Sequence, residues 1–114
     1  MVDHNAPEAD FLRAVTSPSS EVFVAPDGQS LNGAAMVGDD GHRGWIYYLA
    51  VAPSRRNDGL GKALCEAAEN WACARGVRKI QLMIRPDNET VRQFYKQADY
   101  IETPRLVMAK WLDK

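Results

Sequence analysis

The stretch VAPSRRNDGLGKALCEAAENWACARG, Val51 to Gly76, decides the fold of this chain. It begins where an apolar run ends, passes through a turn that holds Gly59 and Gly61, and continues as an amphipathic segment. From Leu60 onward the apolar residues recur at steps of three and four, which predicts a helix that begins close to the second glycine. Gly76 follows that segment as a C-terminal stop.

The turn in this stretch has the composition of an anion-binding loop. The first N–H groups of a helix lack intrahelical partners, and the macrodipole places about half a positive charge there. Gly59 and Gly61 allow a phosphate group to approach closely because neither carries a Cβ atom. Arg55, Arg56 and Lys62 add positive charge around them. The sequence therefore predicts a phosphate-binding loop.

Two familiar phosphate motifs do not fit this loop. The Walker A pattern G-x-x-x-x-G-K-[ST] fails because Arg56 stands at its first glycine and Ala63 at its hydroxyl position. The dinucleotide pattern G-x-G-x-x-G fails because Leu64 stands where the third small residue is needed. The pattern R-x-x-G-x-G does fit, from Arg56 to Gly61.

The elements around this loop predict an α+β domain that comprises residues 1–114. Residues 1–7 are expected to be disordered. Helices are predicted over 8–16, from Leu60 and after Asn88, and strands over 21–25, 31–37, 45–51, 79–84 and 105–112. The first two strands form a hairpin. The strand–helix–strand crossover from 45 to 84 implies two parallel neighbours, so the predicted sheet is mixed.

Composition excludes several classes of function. A net charge of −1 over 114 residues gives no field for binding nucleic acid or an anionic membrane. Cys65 and Cys73 share one predicted helix about 12 Å apart, too far for a disulfide. The two histidines, His4 and His42, are isolated in the sequence, and no apolar run approaches the length of a membrane span. We expect a reduced, metal-free, cytoplasmic protein.

Two blocks of the sequence together resemble the GCN5-related N-acetyltransferases (GNAT). Their first signature, [Q/R]-x-x-G-x-[G/A], lies between this strand and this helix. Their second is an asparagine that opens the next helix and a tyrosine seven residues later, present here as Asn88 and Tyr95 in NETVRQFYKQADY. The resemblance covers about residues 45–100. It implies a GNAT-like acyl-CoA N-acyltransferase fold, with a mostly antiparallel mixed sheet that contains a splayed parallel strand pair and is flanked by helices.

The resemblance also implies a cosubstrate and roles for residues. Acetyl-CoA would place its pantetheine arm along the backbone of Leu49, Ala50 and Val51. Asn88 would bond the pantetheine arm or hold the site in place. Tyr95 would give a proton to the departing CoA thiolate, a task suited to a phenol because its pKa lies near 10. The residues implied to surround the pyrophosphate are Arg55, Arg56, Asn57, Asp58, Gly59, Leu60, Gly61 and Lys62.

The sequence departs from the family pattern at several positions. Met83 stands five residues before Asn88, where relatives that acetylate protein N-termini carry a glutamate base. We therefore favour a small-molecule amine as acceptor. Asp58 places a negative charge inside the pyrophosphate loop, where it opposes the ligand and is able to cap the same helix amides. Asp99 replaces the usual glycine after the third helix, and aspartate tolerates the left-handed conformation needed there. About twenty residues precede the first predicted strand, whereas family members usually carry a further strand and one or two helices there, so we expect the first strand and most of that wall of the acceptor site to be missing. An incomplete sheet edge would invite pairing, which makes a homodimer plausible.

Several alternatives stay open at this point. Asn88 is a good helix N-cap in any protein, and Tyr95 lies on an apolar stripe where it could be a core residue. Strand alternation sends Tyr47 and Tyr48 to opposite faces, so that one of them could reach the substrate. The chain as a whole could be an N-acetyltransferase, a non-catalytic CoA-binding sensor, or a phosphate-binding domain of another class such as a nucleotide binder.

Overall fold

The computed structural model describes residues 18–27, 30–56 and 58–113. The chain divides into two compact units, one of residues Pro7–Met83 and one that combines Met1–Ala6 with Ile84–Lys114. The helix predicted over 8–16 and the disorder predicted over 1–7 lie outside the described residues, and a single domain over 1–114 stays a prediction.

The first unit is built on a four-stranded sheet. Its strands are β1 (Ser20–Asp27), β2 (Ser30–Asp39), β3 (Gly44–Val51) and β4 (Ile80–Gln81), in the order β1-β2-β3-β4. The β1–β2 and β2–β3 pairs are antiparallel and the β3–β4 pair is parallel. The predicted hairpin, the parallel crossover and the α+β fold class are confirmed. The strand predicted over 79–84 is present only at its second and third residues.

Helix α1 (Leu60–Ala74) packs its apolar stripe on one face of this sheet. The buried hydrophobic residues among those described in the unit are Ala35, Met36, Val37, Ile46, Leu64, Cys65, Ala68 and Ala72. Burying one large aliphatic side chain contributes about 1.5–3 kcal/mol, so the burial of these residues stabilises the unit. The helix ends at Ala74, and Gly76 adopts a φ of 81°, as expected for its role as a stop.

Helix and sheet approach most closely at Gly33 in β2. A Cβ atom built there would lie 2.9 Å from the Ala50 carbonyl oxygen and 2.9 Å from a methyl carbon of Leu64. Both distances are shorter than real contacts of this kind allow, so no larger residue fits without a shift of backbone or helix. The absence of a side chain at Gly33 sets the spacing at which α1 seats on the sheet.

The substitution Gly33→Ala is therefore expected to lower the free energy of unfolding by about 1–3 kcal/mol through overpacking. Urea unfolding followed by circular dichroism measures the change. The double variant Gly33→Ala, Leu64→Ala should lose less stability than the sum of the two single variants, since removing the Leu64 methyl relieves part of the clash. An unchanged urea midpoint for Gly33→Ala would contradict this account of the helix–sheet contact.

The second unit contains helix α2 (Glu89–Gln97). Its first turn is capped by Asn88, whose side-chain oxygen accepts a hydrogen bond from the Val91 amide at 3.3 Å. The helix ends at a turn in which Asp99 has a φ of 71°, the left-handed conformation expected at this position. The predicted third helix and its asparagine cap are thus confirmed.

The strand predicted over 105–112 is wrong. The structure assigns no strand there, and no strand pairing among the described residues includes this segment. Its apolar side chains are exposed, with Leu106 95% and Met108 94% accessible. An alternating apolar sequence indicates strand propensity, but a strand also needs a neighbour for its backbone hydrogen bonds. The sequence pattern cannot specify that neighbour.

Candidate functional site

A β-bulge interrupts strand β3 at Tyr47. In the β2–β3 ladder Met36 lies opposite Tyr48 and Val37 lies opposite Ile46, so Tyr47 is one extra residue on β3. A bulge bends its strand and increases the local twist. The site is built around this distortion.

The parallel pair β3–β4 separates just before the bulge. Its ladder consists of two residue pairs, Gly44 with Ile80 and Trp45 with Gln81. Strand β3 continues over residues 46–51, and in the described part of the chain this portion has no ladder partner on the β4 side. The expected splayed parallel pair is therefore present, and its ladder ends two residues before the bulge.

Two residues on the open edge of β3 direct their backbone polar groups outward. The Ala52 amide donates to the Asn32 carbonyl of β2 at 2.6 Å. Because the backbone groups of an antiparallel strand alternate in direction, those of Ala50 also face β2. The N–H and C=O groups of Leu49 and Val51 then point away from β2, into the opening beside β3.

The phosphate-binding loop follows directly after this edge. A 3₁₀ turn over Pro53–Arg55 leads to Gly59, which caps α1 in a left-handed conformation with φ 90° and no side-chain cap of its own. The Ala63 amide bonds to the Gly59 carbonyl at 3.0 Å as the first helical hydrogen bond. The amides of Gly61 and Lys62 have no hydrogen-bond partner within the part of the chain that the structure describes. Two adjacent donors are thus left available at the helix N-terminus.

Asp58 occupies a third donor of this loop. One of its carboxylate oxygens accepts from the Leu60 amide at 3.1 Å, and the other accepts from the Arg55 side chain. The hydrogen bond from Arg55 lowers the pKa of Asp58, so the carboxylate is ionised at neutral pH. The expectation that Asp58 would cap the helix amides is confirmed for one amide. Asn57, also predicted at this site, lies outside the described residues.

Among the described residues of the first unit, α1 covers one face of the sheet and no helix covers the other. A Cβ atom built on Gly33 would lie 3.3 Å from a methyl carbon of Leu60, and one built on Gly44 would lie 3.4 Å from the Ala72 methyl carbon. Both glycines therefore face α1. Alternation from Gly44 then places Trp45 on the face opposite α1.

Tyr47 and Tyr48 lie on that same opposite face. Tyr48 pairs with Met36, three residues along β2 from Gly33, and the Tyr47 ring lies over Gly38, five residues along. The two rings are 51% and 50% exposed. The prediction that alternation would send the two tyrosines to opposite faces is wrong, because the bulge inserts a residue and breaks the alternation.

The turn between β2 and β3 places carboxylates beside these rings. Asp40 accepts from the His42 and Arg43 amides at 2.9 and 2.7 Å and from the Trp45 indole N–H at 3.2 Å. The hydrogen bonds from these two backbone amides and the indole lower the pKa of Asp40 to about 2. Burial, with Asp40 and then Asp39 nearby, raises the pKa of Tyr47, so its phenol is protonated at neutral pH.

Asp39 in the same turn is paired with a cation. Its carboxylate accepts from the Arg75 side chain at 2.5 Å and from the Gly41 amide at 3.0 Å. The Arg75 guanidinium also lies 4.6 Å above the Trp71 ring of α1. These contacts tie the end of α1 to the turn.

Asn88 and Tyr95 lie in the second unit. The Tyr95 side chain is 7% exposed, and its ring makes edge contacts with Phe94 at 4.9 Å and Tyr100 at 5.2 Å. Asn88 caps α2, and Tyr95 lies on the apolar stripe of this helix, as the helix-cap and core-residue alternatives predicted. The structure thus brings the predicted residues from Leu49 to Lys62 together in the first unit, apart from Asn57, which is not described.

The sequence did not reveal that Tyr47 and Tyr48 share one face of the sheet, or that Asp40 accepts hydrogen bonds from two backbone amides and the Trp45 indole. The doublet of tyrosines in an apolar run and the pair of aspartates before Gly41 were visible signals.

Among the described residues no group of three or more His, Cys, Asp or Glu is placed to hold a metal ion. No helix in the described part of the chain has the length and apolar content of a membrane span.

Comparison with solved structures supports the fold. The structure of the aminoglycoside N-acetyltransferase AAC(6')-Iy with a CoA bisubstrate analogue superimposes with a TM-score of 0.82 at 20% identity, covering 96% of this chain and 80% of that one. A putative acetyl transferase from Pyrococcus furiosus gives a TM-score of 0.71 at 29% identity, over 92% of this chain and 74% of that one.

Sequence comparison extends the similarity to most of the chain. An acetyltransferase of Pectobacterium atrosepticum is 37% identical over 108 residues, 95% of this chain and 77% of that protein. One from Sodalis glossinidius is 40% identical over 96 residues, 84% of this chain and 68% of that protein. The family model of the GNAT acetyltransferases matches residues 2–100. Together with the bulge, the splayed strands and the open helix N-terminus, these matches show that the chain belongs to the acetyltransferase (GNAT) family.

Proposed function

We propose that this chain transfers an acetyl group from acetyl-CoA to the amino group of a small molecule. The observation that carries the proposal is the continuity of two sets of available backbone donors. The outward-facing edge at Leu49 and Val51 leads directly to the loop where Gly61 and Lys62 offer their amides. A ligand with an extended amide-containing arm and a diphosphate at one end matches both sets.

The arm of CoA fits this edge group by group. Its pyrophosphate would accept from the amides at the N-terminus of α1, where the helix dipole favours negative charge. The pantetheine arm contains two amide groups in series. The open edge presents two residues, Val51 and then Leu49, whose backbone N–H and C=O groups face outward. Pairing of this kind adds the arm to the sheet as if it were a short strand.

The position of the reactive thioester follows from the length of the arm. Three bonds separate the second amide nitrogen of pantetheine from the sulfur, roughly 3.5 Å or one residue of extended chain. Counted along β3 from Leu49, one residue leads to Tyr48 and the bulge. The acetyl group would therefore lie where the two strands separate, within reach of an acceptor.

The reaction would proceed by direct attack of a neutral amine on the thioester carbonyl carbon. The C–N bond forms as the C–S bond breaks, and backbone N–H groups of β3 stabilise the developing oxyanion. Tyr95 gives its proton to the departing thiolate, and the amine loses a proton to solvent. Holding both reactants in the correct orientation supplies most of the rate enhancement.

A small-molecule acceptor is favoured by the residue that stands in place of a glutamate base. Met83 is 67% exposed and cannot accept a proton. The resemblance places a glutamate base at this position in relatives that acetylate protein N-termini, and this chain has none there. One structural neighbour is named as an aminoglycoside N-acetyltransferase, in line with a small-molecule acceptor. A cytoplasmic location and a homodimer stay predictions.

The proposal is tested by measuring release of free CoA thiol from acetyl-CoA with a panel of primary amines. We expect amine-dependent release in a ternary complex, with mass spectrometry showing an acetylated amine. Tight binding of CoA without thiol release for any amine would identify a sensor and contradict the enzymatic proposal. Tighter binding of ATP or NAD than of CoA, measured by calorimetry, would also contradict the proposal that CoA is the ligand.

The substitution Asp58→Asn is expected to increase the affinity for CoA several-fold. The ionised carboxylate occupies the Leu60 amide and opposes the charge of a diphosphate, while an asparagine keeps the cap without the charge. Titration calorimetry at neutral pH measures the change. Glu66→Gln, which removes one exposed charge further along α1, is the matched control and should bind CoA as the original chain does. Unchanged or weaker binding by Asp58→Asn would show that the carboxylate does not compete with the ligand.

A further inference from the structure

Among the described residues of the first unit, the face of the sheet opposite α1 is the side from which an acceptor can reach the proposed thioester position. Helix α1 covers one face, where Leu64, Ala68 and Ala72 are buried against the strands. The opposite face at the bulge presents the exposed rings of Tyr47 and Tyr48. An amine that attacks a thioester lying between the splayed strands therefore passes over these two rings.

One carboxylate on this side of the sheet is not balanced by a cation. The three donors to Asp40 are two backbone amides and an indole N–H, all of them neutral. The neighbouring Asp39 is instead paired with Arg75. The Arg43 guanidinium lies at 3.4 Å from a ring nitrogen of His42 and 3.2 Å from the His42 carbonyl oxygen, and no hydrogen bond or ion pair joins it to the Asp40 side chain among the described contacts.

The geometry points to a subsite in which Asp40, Trp45, Tyr47 and Tyr48 bind a second cationic group of the acceptor. This inference rests on the proposed acetyl transfer and narrows its substrate class to diamines and larger polyamines. The amino group to be acetylated lies at the bulge, and the distal ammonium lies near the β2–β3 turn.

The chemistry of the subsite suits an ammonium ion. Aromatic rings attract cations through their negative faces, and the attraction is larger where water is partly excluded. An ionised carboxylate held by neutral donors adds a fixed negative charge beside them. The carboxylate is fixed in place by its three hydrogen bonds, so it needs no rearrangement when the cation arrives.

The spacing of the subsite also selects a chain length. Along β3 the interval from Tyr48 to Trp45 is three residues, about 10 Å of strand and somewhat less across a bulge. The two nitrogens of 1,6-diaminohexane are separated by seven bonds, about 8 Å when extended. In 1,3-diaminopropane they are only four bonds apart, too few to reach both positions.

The test compares kcat/KM for three acceptors that differ in the second ammonium: 1-aminohexane, 1,6-diaminohexane and 1,3-diaminopropane. We expect 1,6-diaminohexane to be preferred over 1-aminohexane by about tenfold, since it alone can place a cation at the subsite. The short diamine should show little of this preference. Equal values for the monoamine and the long diamine would overturn the inference.

Variants of the subsite residues test which side chains cause the preference for 1,6-diaminohexane over 1-aminohexane. Asp40→Asn, and separately Tyr47→Leu, should bring the ratio of the long diamine to the monoamine close to one, with the KM for acetyl-CoA unchanged. Glu66→Gln is the matched charge control on the α1 side and should keep the full preference. A preference that survives both Asp40→Asn and Tyr47→Leu, with melting temperatures near that of the original chain, would place the second cation elsewhere.

Direct binding separates this inference from the proposed function. The Trp45 indole N–H signal, assigned by its loss in Trp45→Phe, is followed by NMR during titration with 1,6-diaminohexane and with 1-aminohexane. A shift with the diamine alone supports the subsite even if no acetyl transfer is detected, in which case only the proposed reaction fails. Acetyl transfer with no selective shift of this signal would overturn the subsite and leave the reaction standing.

Discussion

Replacing Gly59 with alanine is expected to weaken CoA binding by about tenfold or more. Gly59 caps α1 with a φ of 90°, a conformation that costs a residue with a side chain about 1–2 kcal/mol. Relief of that strain turns the loop and moves the amides of Gly61 and Lys62 away from a common target. Since about 1.4 kcal/mol corresponds to a tenfold change in affinity, the strain alone accounts for the expected loss. Titration calorimetry with CoA measures it.

Gly76→Ala is the matched control for this experiment. Gly76 has a φ of 81° just beyond the other end of the same helix, and a Cβ atom there, as at Gly59, meets nothing within 4 Å. Both variants should therefore lose similar stability, while only Gly59→Ala loses CoA affinity. Equal CoA affinity in both variants and in the original chain would show that this loop does not hold the pyrophosphate.

Replacing Tyr95 with phenylalanine is expected to lower kcat by about a hundredfold or more, in the range that general acid catalysis contributes. The ring that packs against Phe94 and Tyr100 is retained, so stability and the KM for acetyl-CoA should change little. Steady-state kinetics with the best amine of the panel measures the effect. An acetyl thioester of a more acidic thiol, which leaves without a proton, should recover most of the lost rate.

Tyr100→Phe is the matched control, because it removes a phenol from the neighbouring ring of the same cluster. It should keep kcat within about threefold of the original value. A Tyr95→Phe variant with nearly unchanged kcat, or one whose loss is the same for both leaving groups, would assign Tyr95 to packing alone.

Much of the site was predictable because it depends on local sequence. The positive φ of Gly59, the start of α1 at Leu60 and the Asn88 cap each follow from a few neighbouring residues. The capping of the Leu60 amide by Asp58 was expected for the same reason. Local backbone chemistry is readable in a sequence because the partners lie within one turn of one another.

The rest depends on how distant segments pair, which a sequence pattern does not specify. The bulge at Tyr47 arises from the register between β2 and β3, and the strand pattern of β3 would read the same without it. The strand expected over 105–112 has suitable residues but no paired neighbour among the described ones. The truncation of β4 to Ile80–Gln81 follows from the separation of the strands after Trp45.

Calorimetric titration of the original chain with CoA, and in parallel with ATP and NAD, tests the central claim most directly. All three ligands carry a pyrophosphate linkage for the amides of α1, but only CoA has the arm that pairs with Leu49 and Val51. The account predicts that CoA binds at least about tenfold more tightly than either nucleotide, a difference of about 1.4 kcal/mol. Binding of ATP or NAD as tight as that of CoA would contradict it.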